Sequence, residues 1–332
     1  MTEPLISVII PTWNRGELLR STLAALAAQT LEPERFEVIV VDDGSTDATG
    51  AIVAETAARV LFRLLYHRMP VNGGPVLARN QGARLARAEI FAFTDSDCQP
   101  CPPWLEVAAQ AFHQDPELGF LTGPVINTPG QRVRFFSVGG ADCAGENPTY
   151  PAANVIYRKR VFWDVGAFDP TAWLYNAGPT PLDCSDVDLA WRVKERGFRN
   201  RFLDELLMHH EVRQLTPWQW LAHYTRILTI PELVRRHPGF GKSFLWWGPF
   251  CLPENPLFYL GVAGAALGVT VNPAFALLAL PFLFRLVYLL RRSASLGRLP
   301  FFAAQVAFLW VRQAVICGSL IYGSVRSRTL VL

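Results

Sequence analysis

Three polar loops follow apolar, strand-length segments in the first hundred residues, and their side chains suit chemistry on a phosphorylated substrate. The loops are Thr12 to Arg15, Asp42 to Asp47 and Asp95 to Asp97. The last loop is an Asp-x-Asp pair, and such carboxylates can hold Mg²⁺ or Mn²⁺, which prefer oxygen ligands and are often shared with substrate phosphates. An isolated Asp-x-Asp is most often a solvated turn, so its meaning depends on the two other loops.

The segments that carry these loops alternate between strand and helix patterns. Strands are predicted at residues 5–10, 36–41, 61–66 and 89–94, and helices at residues 15–28, 48–59 and 76–86. This alternation predicts an α/β fold with a mostly parallel sheet and helices on both faces. Ligands bind at the carboxyl ends of the strands in such sheets, so the three loops should converge on one cleft.

Capping signals mark two of the helices. Asn14 predicts an N-cap for the first helix, with Glu17 completing a capping box. Ser185 predicts the N-cap of a helix at residues 186–196, with Asp188 at its third position and Gly197 just beyond its end. Between these helices, the Gly-, Pro- and Asn-rich segment 119–154 is predicted to be irregular.

The composition is apolar, with 51% hydrophobic and 18% charged residues, and the excess lies after Phe244. A net charge of +3 is too small to indicate a nucleic-acid partner.

The N-terminus lacks a signal peptide pattern, which predicts a cytoplasmic location for the first part of the chain. Cys98 and Cys101 have metal-site spacing but lack a second pair, so a turn is the simpler interpretation.

Three apolar segments follow, and they predict a membrane-associated region. They lie at about 256–271, 273–290 and 299–323, broken at Asn272-Pro273. Arg285 is expected to snorkel, and Arg291, Arg292 and Arg298 to return to the cytoplasmic side. The third segment either spans the bilayer or lies in its interface. The alternative to membrane association is a buried helical hairpin in the interface of a soluble dimer.

We expect a catalytic domain at 1–215, a basic connecting region at 216–250 and membrane-associated helices at 251–332.

Five motifs in order resemble the family 2 glycosyltransferases, which have the GT-A fold. The motifs are SVIIPTWNR, VVDDGSTD, GPVLARNQGARLA, FTDSDC and DVDLAWRVKERGF, and the resemblance covers roughly Leu5 to Val212. It implies a GT-A-type nucleotide-binding sheet followed by the apolar helical region. It also implies donor-binding roles for Thr12 and Asn14 at the nucleotide base, for Asp43 with Asp42 beside it at the base ring, for Arg79 at the diphosphate and for Asp95 at the ribose.

The resemblance further implies metal binding by Asp97 and a catalytic base at Asp186. The family usually has a Glu-Asp pair at the base, and here Ser185 replaces the glutamate. Asp183 and Asp188 are the nearby alternatives. A histidine after the next strand resembles an additional metal or diphosphate contact, and the spacing favours His210 over His209.

The resemblance therefore implies an inverting transfer of sugar from a nucleotide-sugar donor to a hydroxyl acceptor. A UDP-sugar is the first candidate donor, and the acceptor is either a glycan or a lipid-linked molecule. The Arg-Trp pattern of processive synthases is absent from the sequence, which predicts one sugar per encounter. Membrane lipid is an expected partner, with the catalytic domain at the cytoplasmic face of the cell membrane. The alternatives are a nucleotidyltransferase on a similar fold and a non-catalytic nucleotide-sugar-binding module. The first usually has a Gly-rich loop near the N-terminus, which PTWNRGELL lacks.

Overall fold

The chain folds into two compact units. A computed structural model describes residues 3–139, 145–171, 184–292 and 302–332, without the side chains of residues 291 and 292. The first unit comprises residues 1–131 and 139–212, and the second comprises residues 132–138 and 213–332. The finer division predicted at residues 215 and 250 stays a prediction.

Twelve strands and twelve helices are found in the described residues. The strands are β1 (Ile6–Thr12), β2 (Phe36–Asp42), β3 (Arg63–Arg68), β4 (Ile90–Phe93), β5 (Cys98–Pro100), β6 (Leu118–Thr122), β7 (Val125–Asn127), β8 (Ser137–Val138), β9 (Val155–Arg158), β10 (Arg199–Phe202), β11 (Met208–His210) and β12 (Arg213–Gln214). The helices are α1 (Gly16–Ala27), α2 (Thr49–Ala57), α3 (Pro75–Leu85), α4 (Trp104–Gln114), α5 (Lys159–Asp164), α6 (Ser185–Glu195), α7 (Pro217–Tyr224), α8 (Ile230–Arg236), α9 (Pro238–Phe244), α10 (Asn255–Thr270), α11 (Leu280–Arg292) and α12 (Phe302–Ser327).

The first unit is built on a seven-stranded sheet in the order β10-β6-β9-β4-β1-β2-β3. All neighbouring strands are parallel except β9, which runs antiparallel to both β4 and β6. Every residue of β1 and β2 is buried, as expected for central parallel strands covered on both faces. The predicted mostly parallel sheet is confirmed.

Helices cover both faces of this sheet. On one face, Val8 of β1 belongs to a buried cluster with Leu23 of α1 and Leu105 of α4. On the other face, α3 packs so closely that a Cβ on Gly82 would lie 2.5 Å from Cγ2 of Ile9. Glycine at this position lets α3 approach the strands that carry the first two polar loops.

The prediction of irregular structure at residues 119–154 is confirmed for residues 128–136 and 145–151, but β6, β7 and β8 lie in the same segment. Two of its glycines permit close packing. A Cβ on Gly119 would lie 2.8 Å from Cβ of Phe198, and one on Gly123 would lie 2.3 Å from the carbonyl oxygen of Leu206. Strand β6 pairs with β9 and β10, so this segment completes the sheet.

The capping predictions are wrong in detail. Asn14 has a φ of 51° and does not cap α1; its side chain instead accepts a hydrogen bond from the backbone N–H of Thr46. The Asp47 carboxylate accepts the N–H of Gly16 at 3.0 Å and so caps α1 from the second loop.

At α6, Ser185 is the first helical residue and not the N-cap, and Cys184 at the N-cap makes no side-chain cap bond. Asp188 is therefore the fourth helical residue and pairs with Arg192 at 2.8 Å instead of capping. Gly197, with a φ of +83°, ends the helix as predicted.

The described residues of the second unit are mainly helical and include the β8–β12 pair. Helix α10 turns at residues 271–272 into a 3₁₀ segment, Pro273–Ala279, that leads into α11. Two stretches are long and apolar enough to cross a membrane, Pro273–Leu290 and Phe302–Ser327, while α10 is shorter. Arg285, which was expected to snorkel, pairs with Glu254 at 2.6 Å. Arg298 lies outside the described residues, and whether these helices span a bilayer stays a prediction.

Candidate active site

The three polar loops meet at the carboxyl ends of β1, β2 and β4. The backbone N–H of Asp43 donates to the carbonyl of Thr12 at 2.8 Å, which joins the first two loops. The third loop is tied to the first by Arg15, whose Nη1 lies 2.7 Å from Oδ2 of Asp97. The predicted convergence of the three loops is confirmed, because parallel strands end at the same edge of the sheet.

His210 is brought to the Asp-x-Asp loop by a small sheet in the order β5-β11-β7. It lies opposite Cys98, the residue after Asp97, and the N–H of Glu211 donates to the carbonyl of Asp97 at 2.9 Å. Nε2 of His210 lies 3.7 Å from Oδ1 of Asp97. Nδ1 of His210 lies 2.8 Å from the carbonyl oxygen of Glu211, and a carbonyl can only accept, so Nδ1 carries a proton. The lone pair of a neutral His210 is therefore on Nε2, on the side of Asp97.

The pair of Asp97 and His210 fits a divalent metal. Oδ1 of Asp97 is buried and has no hydrogen-bond partner among the described residues, so one oxygen is left for a ligand. Cys98 lies within the same group, with all three ligand atoms within 4.8 Å of one another. Burial raises the pKa of the Cys98 thiol, and the charges of Asp95 and Asp97 raise it further. Sulfur is also a poor ligand for Mg²⁺ or Mn²⁺, so the oxygen and the imidazole nitrogen are the better donors.

Arg79 of α3 holds the other carboxylate of the loop. Its Nη2 donates to Oδ1 of Asp95 at 2.8 Å, and its side chain is only 7% exposed. Burial raises the pKa of Asp95, but the charge of Arg79 and its hydrogen bond outweigh burial and hold this pKa below its ordinary value. Asp95 is therefore an ionised acceptor whose orientation is fixed. The predicted contact of Arg79 with a diphosphate stays a prediction.

Asp43 holds the backbone of the loop that contains Gly73 and Gly74. Its two carboxylate oxygens accept the N–H groups of Gly73 and Gly74, each at 2.7 Å. The Asn72 amide, oriented to satisfy its neighbours, donates to Asp43 Oδ2 at 3.2 Å and accepts from Nε1 of Trp13 at 3.2 Å. Each carboxylate oxygen can accept more than one hydrogen bond, so Asp43 can still meet a ligand. These residues form one hydrogen-bonded cluster that includes the indole of Trp13.

The side chains of Asp42 and Thr12 differ in whether their oxygens already accept hydrogen bonds from neighbouring residues. Asp42 is 1% exposed, and its oxygens accept from the N–H of Ser45 and the hydroxyl of Tyr66. We therefore assign Asp42 to support of the loop, while its predicted contact with a donor stays untested. Thr12 is 4% exposed, and its hydroxyl oxygen has no hydrogen-bond partner among the described residues.

Asp186 is the second residue of α6 and is half-buried. Its Oδ1 accepts the N–H of Val187 at 2.9 Å, and its Oδ2 accepts the N–H of Ala152 at 3.2 Å. Asp188, by contrast, is 2% exposed and paired with Arg192. Asp183 lies outside the described residues. Of the two described candidates for the base, Asp186 is the one with solvent access.

The sequence patterns missed Arg15 and Trp13 as site residues. Both lie in the PTWNR loop, directly beside the residues selected there. Arg15 carries the positive charge nearest to Asp97 in the hydrogen-bond network, and Trp13 is 53% exposed although it is large and apolar. A basic and an aromatic residue in a strand-end loop could have been read as contacts for a phosphate and a base.

Comparisons with known proteins agree with this geometry. Residues 7–166 match the family model described as Glycosyl transferase family 2. The chain is similar to validoxylamine A glucosyltransferase of Streptomyces hygroscopicus subsp. limoneus, with 42% identity over 113 residues that cover 34% of this chain and 24% of that protein. It is also similar to glycosyltransferase AglE of Haloferax volcanii, with 27% identity over 64% of this chain and 68% of that protein. The chain thus spans about a quarter of the first relative's length.

A solved structure shares the fold. Mannosyltransferase PcManGT from Pyrobaculum calidifontis, in complex with GDP-Man and Mn²⁺, superposes with a TM-score of 0.57 over 97% of this chain and 88% of that chain. The sequence identity is 19%, so this likeness shows the fold alone. The predicted GT-A architecture is confirmed.

Proposed function

We propose that the chain, whose residues 7–166 match the model of glycosyl transferase family 2, is a member of that family and transfers one sugar per encounter from a nucleotide-sugar donor to a hydroxyl acceptor, with inversion at the anomeric carbon. The observation that carries this proposal is the buried Asp97 carboxylate. It keeps one oxygen without a hydrogen-bond partner among the described residues, between the Arg15 guanidinium and the His210 imidazole.

The nucleotide binds across the first two loops in this proposal. Asp43 accepts a hydrogen bond from the base ring, and the indole of Trp13 stacks against the base because it is exposed. Asp95, held ionised by Arg79, accepts from the ribose hydroxyls. A UDP-sugar is the first candidate donor, and GDP-Man, the compound bound to PcManGT, is the second.

Asp97 and His210 are the proposed metal ligands. A carboxylate suits Mg²⁺ and Mn²⁺, whereas an imidazole favours the later metals of the series, so this mixed pair favours Mn²⁺ over Mg²⁺. When bound, the metal supplies Lewis-acid stabilisation of charge on the departing diphosphate. Arg15, beside Asp97, adds a guanidinium that matches phosphate oxygens.

Asp186 acts as the general base. Its carboxylate takes the proton of the acceptor hydroxyl while that oxygen bonds to the anomeric carbon, and the bond to the nucleoside diphosphate breaks on the opposite face. The N–H groups of Val187 and Ala152 hold the carboxylate in place at the N-terminus of α6. A single displacement of this kind inverts the configuration.

The acceptor is lipid-linked in this proposal, and the protein works at the cytoplasmic face of the cell membrane. The support is the apolar region of the second unit. In the stretch Pro273–Leu290 only 17% of the residues are buried, whereas a core helix of a soluble protein is mostly buried. That difference argues against a core helix of this chain. The near absence of charged side chains in the same region is what favours lipid over a soluble dimer interface.

A thermal-shift and turnover screen tests the proposal. We expect UDP or GDP to raise the melting temperature more with Mn²⁺ than without it, and the matching nucleotide-sugar to release nucleoside diphosphate when acceptor lipid is present. Binding without release would favour a non-catalytic binding module. Consumption of a nucleoside triphosphate and a sugar 1-phosphate would favour a nucleotidyltransferase.

A further inference from the structure

A tight turn in the second unit, residues 246–250, displays two tryptophans. We call it the tryptophan turn. Trp246 and Phe250 exchange two backbone hydrogen bonds, at 2.7 and 3.1 Å, and close the turn. Trp246 is 51% exposed and Trp247 is 74% exposed. Two large indoles side by side on a closed turn make an exposed apolar tip.

The backbone of this tip is strained. Trp247 has a φ of 41°, in the left-handed region that bulky residues rarely occupy, and Gly248 follows with a φ of 91°. A glycine at position 247 would adopt this conformation more readily. Strain of this kind persists at sites with a function, and the exposed indole gains little from packing in the described chain.

The tip is fixed to the start of α10 through Leu332. The N–H of Leu332 donates to the carbonyl of Pro249 at 2.7 Å, and its carbonyl accepts from the N–H of Cys251 at 2.7 Å. The side-chain amide of Asn255 donates to the same carbonyl at 2.8 Å. Asn255 is itself completely buried and accepts from Gln313 of α12. The tryptophan turn is therefore held at the base of the helical hairpin that begins at Asn255.

The hairpin beyond this base is nearly free of charge. Residues 244–290 contain two charged side chains, Glu254 and Arg285, and these pair with each other at 2.6 Å. Towards the tip of the hairpin the apolar side chains are exposed, with Val269 at 89% and Leu277 at 63%. On the other side of the tryptophan turn, the exposed cation Lys242 ends the basic segment. Polarity thus changes along the chain at the two tryptophans.

We propose that the tryptophan turn is an interfacial anchor that lies among the headgroups of a lipid bilayer, with the part of the hairpin beyond the Glu254–Arg285 pair inserted into the hydrocarbon. Indoles favour this zone because an apolar ring and a polar N–H meet water and lipid together. The Glu254–Arg285 pair lies at the hairpin base, where headgroup water solvates charge. Helix α10 has 16 residues and so extends about 24 Å from that base, close to the hydrocarbon depth of about 30 Å. This inference rests on the membrane attachment proposed above, and not on the glycosyl transfer.

Depth-dependent fluorescence quenching tests the anchor. The full chain is reconstituted in phosphatidylcholine vesicles whose acyl chains carry bromine either near the headgroups or near the bilayer centre. We expect stronger quenching by the shallow bromines. We expect the double variant Trp246→Ser/Trp247→Ser to lose at least half of this shallow excess. The matched control is Trp163→Phe in α5 of the first unit, which should keep it.

The outcomes distinguish failure of the tryptophan turn as an anchor from failure of membrane attachment itself. If the double variant floats with vesicles and keeps the full shallow excess, the tryptophan turn is not the anchor. If the wild-type chain neither floats with vesicles nor is quenched at either depth, membrane attachment itself is wrong. If the double variant changes the oligomeric state in detergent with quenching unaltered, the turn contacts a second copy and the proposal is overturned.

A single substitution guards against misfolding as an explanation. Trp247→Gly relieves the positive φ, so its melting temperature in detergent should be no lower than that of the wild type. Its partition into vesicles should nevertheless fall several-fold. An unchanged partition would contradict the anchoring role.

Discussion

At the scale of single residues, the proposed donor site depends most on the Arg15–Asp97 pair. Arg15 is one-third exposed while Asp97 is almost completely buried, so the arginine is the more accessible partner of the pair. Without a metal, the guanidinium neutralises a carboxylate that would otherwise lie uncompensated in the protein. In the proposed site, Arg15 would therefore compete with a cation for Asp97 and would be available to a diphosphate.

We predict opposite effects of Arg15→Gln on the two ligands. Affinity for Mn²⁺ alone should rise because a competing cation is removed, whereas affinity for a nucleoside diphosphate should fall roughly 10- to 100-fold, the value of a hydrogen bond to a charged group. Calorimetric titrations measure both. Arg20→Gln is the control, since Arg20 pairs on the surface with Glu17 and Glu55. Equal changes in both variants would contradict the role of Arg15.

Asp186 and Asp188 should separate catalysis from stability. Asp186→Asn should lower transfer by roughly two to four powers of ten with donor affinity unchanged, the usual contribution of a general base. Asp188→Asn should instead lower the melting temperature, because Asp188 orients Arg192, which donates to the carbonyls of Val165 and Ala167. Transfer assays and melting curves of both variants distinguish the two roles. An active Asp186→Asn would place the base elsewhere.

The residue types predicted which polar loops the fold brings together, but not the contacts among their side chains. Motif order identified Asp43, Asp95 and Asp97, since strand-end carboxylates are visible in a sequence. The pairing of Arg79 with Asp95 depends on how α3 packs on the sheet, which one sequence does not specify. The capping role given to Ser185 failed because the helix begins at Ser185 itself, with Cys184 at the N-cap.

At the scale of the elements, one carboxylate joins two helices to the site. Asp47 accepts the N–H of Gly16 at the start of α1 and the N–H of Thr49 at the start of α2, both at 3.0 Å. Burial raises the pKa of Asp47, but the hydrogen bonds from Thr49 and Gly16 outweigh it and leave the pKa below its ordinary value. Asp47, in the loop after β2, therefore caps the start of α1, the helix that follows β1.

We predict that Asp47→Ala destabilises the fold by about 0.5–2 kcal/mol for each cap lost. The folded pKa lies below the unfolded value of about 3.9, so the stabilisation is present above that value and disappears as pH falls through the folded pKa. The difference in melting temperature from the wild type should be constant between about pH 5 and 7 and shrink below about pH 4. Glu34→Ala, at an exposed carboxylate, should show no such gap. A gap that persists in acid would contradict the ionised cap.

At the scale of the whole molecule, composition predicted that the polar part of the chain is followed by an apolar helical region after Phe244. The exposed apolar side chains of residues 255–290 follow from the near absence of charge in that stretch. The ion pair between Glu254 and Arg285 did not follow, because 31 residues separate the partners and only the hairpin turn brings them together. Pairing at that range depends on the tertiary fold.

Membrane attachment should depend on the hairpin. We predict that Val269→Asp/Leu277→Asp moves protein from the membrane fraction to the soluble or aggregated fraction, because a carboxylate in hydrocarbon costs about 2.5–3.5 kcal/mol. The control is Leu61→Asp, at a leucine of the first unit that is 83% exposed, which should leave the distribution unchanged. Fractionation before and after alkaline carbonate measures the effect. Soluble wild-type protein without detergent would show that the hairpin is not an anchor.

The most direct test of the donor site is a calorimetric titration of UDP and GDP into the wild type and Asp97→Asn, each with and without Mn²⁺. The substitution keeps the size of the side chain and removes its charge, so the fold should persist while the metal loses its ligand. We predict that Mn²⁺ strengthens nucleotide binding to the wild type and has no such effect on the variant, with equal melting temperatures. The same metal-dependent affinity in both proteins would contradict the account.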